Sequence, residues 1–182
     1  MEWYRVSEKA IREERKRVLD SLLTKDAIED RFVGMNREDI ESYFEAHLRE
    51  LELLACFDII AAAEGYLRLE YLNRVYKWLK DAVSRSLRDL YKERGPRIRL
   101  DEDILGAFVE NHPACKKAVG QFRAILGLRD WLAHGRYWKA KLLGRETWQY
   151  TAEDALDAAE QLFDILPSQF IALESEPGDE LW

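Results

Sequence analysis

Few residues in this chain stop a helix, and that constrains the fold more than any other feature. Four prolines and nine glycines are spread over 182 residues. From Glu38 the chain reads "EDIESYFEAHLRELELLACFDIIAAAEGYLRLEYLNRVYKWLKDAVSRSLRDLYKERG", which supports one very long helix or two in sequence, with a bend near Asn73 and a stop at Gly95-Pro96. Asn36 caps it, with acids in its first turn. Before it, an amphipathic helix is expected over about 7–32, ended by Gly34. After it, Asp101 is expected to cap a short helix, "EDILGAFVEN". Pro113 suits the first turn of the next helix and Gly135 the residue after its end. Thr151 with Asp154 reads as a capping box for a last helix that Pro167 stops. The expected fold is all-α, five or six helices in one domain over 1–182, with its core at about 36–166 and a frayed acidic tail.

Hydrophobic residues make up 47% and charged residues 35%, a globular rather than a disordered balance. The apolar runs are too short to span a bilayer, and "MEWYRVSEKA" has no signal pattern. Cys56 and Cys115 form no disulfide framework or metal pattern, so a reduced cytoplasm is the simplest setting. No phosphate loop, nucleophile elbow or HExxH occurs, and neither His47 nor His112 supplies a di-iron pair. No metal and no cofactor is implied.

The informative stretch is "LRDWLAHGRYWKAK", Leu128 to Lys141. With about 100° per residue, Ala118, Val119, Phe122, Ile125, Leu126, Leu132 and Ala133 share one stripe. Arg129 falls in its middle, where a leucine belongs, and a guanidinium there needs an acid, a cleft or an interface. Asp130 and His134 lie four apart, so the carboxylate is placed to hold one imidazole nitrogen and leave the other free as a general base. A histidine near a helix end also does no more than complement the dipole in most helices, and such a pair usually lies on the surface. On the long helix, Leu53, Phe57, Ile60, Leu67, Tyr71, Val75 and Trp78 form a stripe that Glu64 interrupts. Its partner is either Arg68, four residues on, or Arg129 across a helix interface.

Charge is segregated. Between Lys116 and Arg145 eight basic residues oppose the single acid Asp130, a net of +7 in a chain whose total is −7. Such a field attracts an anion locally. Arg123, Arg136, Lys139 and Lys141 are candidate RNA contacts. Tyr137 is placed to stack on an unpaired base. Trp138 instead suits packing beneath the following loop.

"RDWLAH", Arg129 to His134, resembles the Arg-x(4–6)-His motif of HEPN domains, with a polar residue directly after the arginine. "AAAEGYLRLEYL", Ala61 to Leu72, is similar to the second-helix pattern of some HEPN branches. The resemblance spans about Asp39 to Leu166. It implies a metal-independent endoribonuclease, a toxin or defence effector, in which a ribose 2′-hydroxyl attacks the adjacent phosphate. Arg129 would stabilise the phosphorane, His134 would move the proton and Asp130 would orient His134, with Glu64 fixing Arg129. It also implies a homodimer with two motifs facing one cleft, and an antitoxin partner, a nucleotidyltransferase or another small protein. Some HEPN toxins carry a modifiable tyrosine one residue beyond the histidine; here two residues separate His134 from Tyr137. The rival expectations are a non-catalytic HEPN-like module binding RNA, a nucleotide or a protein, and a helical interaction protein in which Arg129 is an interface salt bridge.

Overall fold

The computed structural model describes residues 1–24, 29–135, 141–142, 145–146 and 149–166. It is all-α apart from one minimal pair of strands. Six α-helices occur among the described residues: α1 Glu2–Thr24, α2 Arg37–Tyr76, α3 Ala82–Arg94, α4 Leu105–Asn111, α5 Lys116–Ala133 and α6 Ala152–Ile165. Strands β1 (Lys141–Leu142) and β2 (Arg145–Glu146) pair antiparallel, Lys141 opposite Glu146. Among the described residues no helix is long and apolar enough to cross a membrane. The chain divides into two compact units, Met1–Phe57 and Asp58–Trp182, and the boundary falls inside α2.

In the first unit α1 begins at Glu2 rather than near Ser7, and the expected run to Phe32 ends in a separate 3₁₀ turn, Asp30–Phe32. Gly34 follows with φ +85°, a left-handed conformation that costs glycine nothing. Asn36 caps α2 as expected. Its Oδ1 accepts from the Asp39 amide, and the Asp39 carboxylate accepts from the Asn36 amide, both at 3.0 Å. Val18, Phe32, Ile40 and Phe44 form the core of this unit, flanked by Ile11, Leu19, Leu22, Met35 and Tyr43. Each such side chain contributes about 1.5–3 kcal/mol by leaving water.

In the second unit α2 continues past Asn73 without a break and ends at Tyr76. The turn comes at Trp78, whose φ of +52° is strained for a side chain of that bulk. Trp78 is therefore 69% exposed instead of extending the apolar stripe, and Phe57, also expected on it, is exposed. Asp81 then caps α3, accepting from the Ser84 amide at 3.0 Å.

Arg74, fully buried, ties this corner together. It donates to Glu70 Oε1 at 2.7 Å, Asp81 Oδ1 at 3.1 Å and Ser84 Oγ at 3.2 Å, and it sits over the Phe108 ring. Burial pushes the Asp81 carboxyl upward, but bonds from Ser84 and the Arg74 charge outweigh it and hold the group below its usual range. Tyr71, burying its ring and donating to Gly95 O at 3.1 Å, has its phenol pushed up to about 12 by burial and the neighbouring Tyr91, Tyr76 and Asp103.

Gly95 ends α3 with φ +72°. The residue that organises the next turn is Asp103, not Asp101. Its carboxylate accepts from the Arg99 amide at 2.8 Å and from Arg94 at 2.7 Å, inside a π-type turn over Leu100–Ile104 that leads into α4. Asp101 is left facing outward, free to meet α5. Pro113 opens a 3₁₀ turn, Pro113–Cys115, that runs directly into α5. Lys116 and Lys117 occupy the first turn of α5, and its last turn holds no base. Gly135 follows its end with φ +84°. Thr151 and Asp154 make the complete capping box of α6, which ends before Pro167; Pro167 and the acidic tail lie outside the described residues. Val119, Phe122 and Leu128 of α5, Phe108 of α4 and Leu162 of α6 are wholly buried, and α5 packs on α6.

Candidate functional site

The face that α5 buries is not quite the stripe its pattern suggests. Ala118, Val119, Phe122, Ile125 and Leu126 are buried, but the next buried residue is Leu128, while Leu132 is half-buried and Ala133 exposed. The shift follows from geometry. Leu128 continues the i, i+3 row from Ile125, so the buried surface rotates away from Arg129 toward the end of the helix. Arg129 therefore stands at the edge of the core, its side chain 27% exposed.

Both partners considered for Glu64 are present. One carboxylate oxygen accepts from Arg68 Nε at 3.0 Å and Nη2 at 2.9 Å; the other accepts from Arg129 Nη2. A single carboxylate of α2 thus bridges a guanidinium of its own helix and one of α5. Arg129 Nη1 also contacts Asp130 Oδ1 at 3.0 Å. The Arg129 Nε–H is shielded from solvent and has no acceptor among the described residues. Arg68 Nη1 reaches the Ile98 carbonyl at 3.3 Å.

These groups line an open groove of about 330 Å³. Arg68, Arg99, Arg123 and Arg129 face it with Glu64, Asp101 and Asp130, over Leu100 and Leu126. Arg123 is held by Asp101 through both its side chain and its carbonyl oxygen, and Arg99 pairs with Glu102 at 2.7 Å. The groove therefore gathers four cations and three anions, most of them already paired. An incoming oxyanion competes with these carboxylates for the guanidinium donors, which favours a ligand that brings more than one charge.

His134 is the C-cap of α5, its amide bonded to Asp130 O at 3.0 Å. It is exposed and is not among the residues lining the groove. Asp130 meets Arg129, and among the described residues no side-chain hydrogen bond joins it to His134. Within one chain, Arg129 and His134 project roughly 140° apart around the helix axis. Of the expected RNA contacts, Arg123 lies at the groove; Arg136, Tyr137 and Lys139 fall outside the described residues, as does Trp138, and only the backbone of Lys141 is described.

Sequence reasoning missed Arg68 and Arg99 as groove residues. Arg68 was visible only as the ordinary i, i+4 partner of Glu64, and Arg99 becomes a neighbour through the turn that Asp103 builds. Cys115 is buried, which raises its thiol pKa, and its amide bonds to His112 O at 3.0 Å in the lead-in to α5. His47 binds the Tyr43 carbonyl through Nδ1 at 2.7 Å. Among the described residues no cluster of three or more His, Cys, Asp or Glu side chains has metal-binding geometry. No family model matches the chain, and no curated protein or solved structure does either.

Proposed function

We propose that this chain is a HEPN-type endoribonuclease that needs no metal, a cytoplasmic toxin or defence effector acting as a homodimer. The observation that carries the reading is the position of Arg129. It is a partly exposed guanidinium at the edge of the α5 core, fixed by a carboxylate from another helix, beside an arginine-rich groove and five residues ahead of an exposed histidine.

In this chemistry the 2′-oxygen of a ribose forms a bond to the adjacent phosphorus while the bond from phosphorus to the 5′-oxygen breaks. The products are a 2′,3′-cyclic phosphate and a 5′-hydroxyl. His134 takes the proton of the 2′-hydroxyl or returns one to the leaving 5′-oxygen. Arg129 stabilises the charge that builds on the phosphorane oxygens. Glu64 holds that guanidinium in place, and Asp130 is a neighbour of both groups. Because the two side chains diverge within one chain, a second protomer is expected to supply the facing histidine. An antitoxin, a nucleotidyltransferase or another small protein, is the expected regulatory partner.

A second reading is favoured by the pairing inside the groove. Arg68, Arg123 and Arg129 all meet carboxylates, and among the described residues His134 has no side-chain partner to orient it. These features suit a non-catalytic module that binds RNA, a nucleotide or a protein.

Incubating purified protein with single-stranded RNA in the presence of EDTA tests the first reading. Cleavage ending in a 2′,3′-cyclic phosphate, lost in His134→Ala with the helical circular dichroism signal unchanged, is the expected result. RNA binding without turnover selects the second reading. If RNA is neither bound nor cut and Arg129→Leu gains stability, a helical interaction protein with Arg129 in an interface ion pair is left.

A further inference from the structure

We propose that Arg68 of α2 is a second phosphate-binding residue, which acts with Arg129 to grip one segment of an RNA backbone from two helices. The proposal rests on the RNA reading above and names the wall of the groove that the strand follows. Arg68 and Arg129 are hydrogen-bonded to the two oxygens of one carboxylate, that of Glu64. Their terminal nitrogens are therefore within about 8 Å of each other, the span of two hydrogen bonds and a carboxylate. Glu64 and Asp130 together match the two guanidinium charges, so a phosphate is drawn by the donors these pairings leave open rather than by net charge.

Both guanidiniums also keep donors to offer. Arg68 is 43% exposed, and among the described residues its Nη1 is engaged only by the Ile98 carbonyl at 3.3 Å, a long bond that a phosphate oxygen readily displaces. Arg129 is 27% exposed, and its terminal nitrogens each carry a second N–H beyond those that meet Glu64 and Asp130. The other two groove cations pair away from Glu64. Arg123 is anchored twice to Asp101, and Arg99 is spread toward Glu102 at the solvent edge. The strand is therefore expected to run over the α2 wall at Arg68.

The test measures the affinity of a single-stranded RNA oligonucleotide, 2′-O-methylated throughout so that no 2′-hydroxyl can attack, over a range of salt concentrations. Wild type is compared with Arg68→Ala, with Arg68→Gln in case the alanine variant melts, and with Arg85→Ala as an exposed control on α3. Loss of one phosphate contact is expected to lower the slope of log affinity against log salt by about 0.7. It is also expected to weaken binding roughly tenfold. Arg85→Ala should match wild type. A wild-type slope retained in both folded Arg68 variants overturns the proposal even if the protein cleaves RNA. A lowered slope in a protein that never cleaves unmodified RNA supports the proposal and overturns the nuclease reading. Failure of wild type to bind the oligonucleotide overturns both.

Discussion

Two arginines of the second unit make similar bonds and live in different surroundings. Arg74 is fully buried and meets Glu70, Asp81 and Ser84 at a helix corner. Arg129 is partly exposed and meets Glu64 and Asp130 beside a groove. At Arg74 water is excluded, so loss of the guanidinium removes the charge that faces the buried Glu70 carboxylate. At Arg129 water reaches the pair, and Glu64 keeps Arg68 whatever happens to its other partner. Similar chemistry therefore serves the scaffold in one place and is free to serve a ligand in the other.

The comparison breaks most readily at the sealed corner. Arg74→Ala is expected to cost about 3–5 kcal/mol, read as a fall in the urea midpoint at constant m value. A loss below about 1 kcal/mol would make the two arginines equivalent.

How far each centre could be read beforehand follows from the same contrast. Arg129 stood out because its neighbours at helical spacing are apolar, and Glu64 because it interrupts a comparable stripe; the contact between them followed from asking what each lacked. Arg74 lies beside Tyr71 and Val75 on the buried face of α2, yet it attracts no notice because Glu70 sits four residues before it and the two resemble an ordinary surface pair. What buries them is the return of α3 after Trp78, a tertiary event with no local signal. The caps were legible at Asn36, Thr151 and Asp154, where side chains act on adjacent backbone. Asp101 was misassigned because Asp101, Glu102 and Asp103 offer three neighbouring acids, and only the long-range bonds to Arg94 and Arg99 select Asp103. The histidine's place near the helix end was legible as well. Its separation from the groove was not, since that depends on where α2 and the turn after α3 lie.

The open site sharpens the comparison in the opposite direction. Arg129→Leu is expected to change stability by no more than about 1 kcal/mol while lowering RNA cleavage about 10²–10³-fold, measured on one preparation by chemical denaturation and initial rates. Glu64→Gln keeps the shape and removes the charge that fixes Arg129. About 1 kcal/mol of stability and a smaller share of activity should be lost, and equal activity would show that Glu64 does not position the guanidinium.

The smallest effect concerns acid. Asp81 has its carboxyl held below the usual range in the fold, so its contribution is present above the unfolded pKa and is lost as pH falls through the folded one. Asp81→Asn should flatten the acid limb of the stability profile relative to wild type, read by chemical denaturation across a pH series.

The charge order of α5 has an effect of its own. Two lysines stand in its first turn and an aspartate in its last, so the helix opposes its own macrodipole. A peptide cut from 116–133 should be largely unwound in water, and added salt, which weakens most ionic support, should relieve it. This helix holds its shape by burying Val119, Phe122 and Leu128 and by packing on α6. The residues nearest its free end, His134 among them, then owe their position to apolar contacts several turns away.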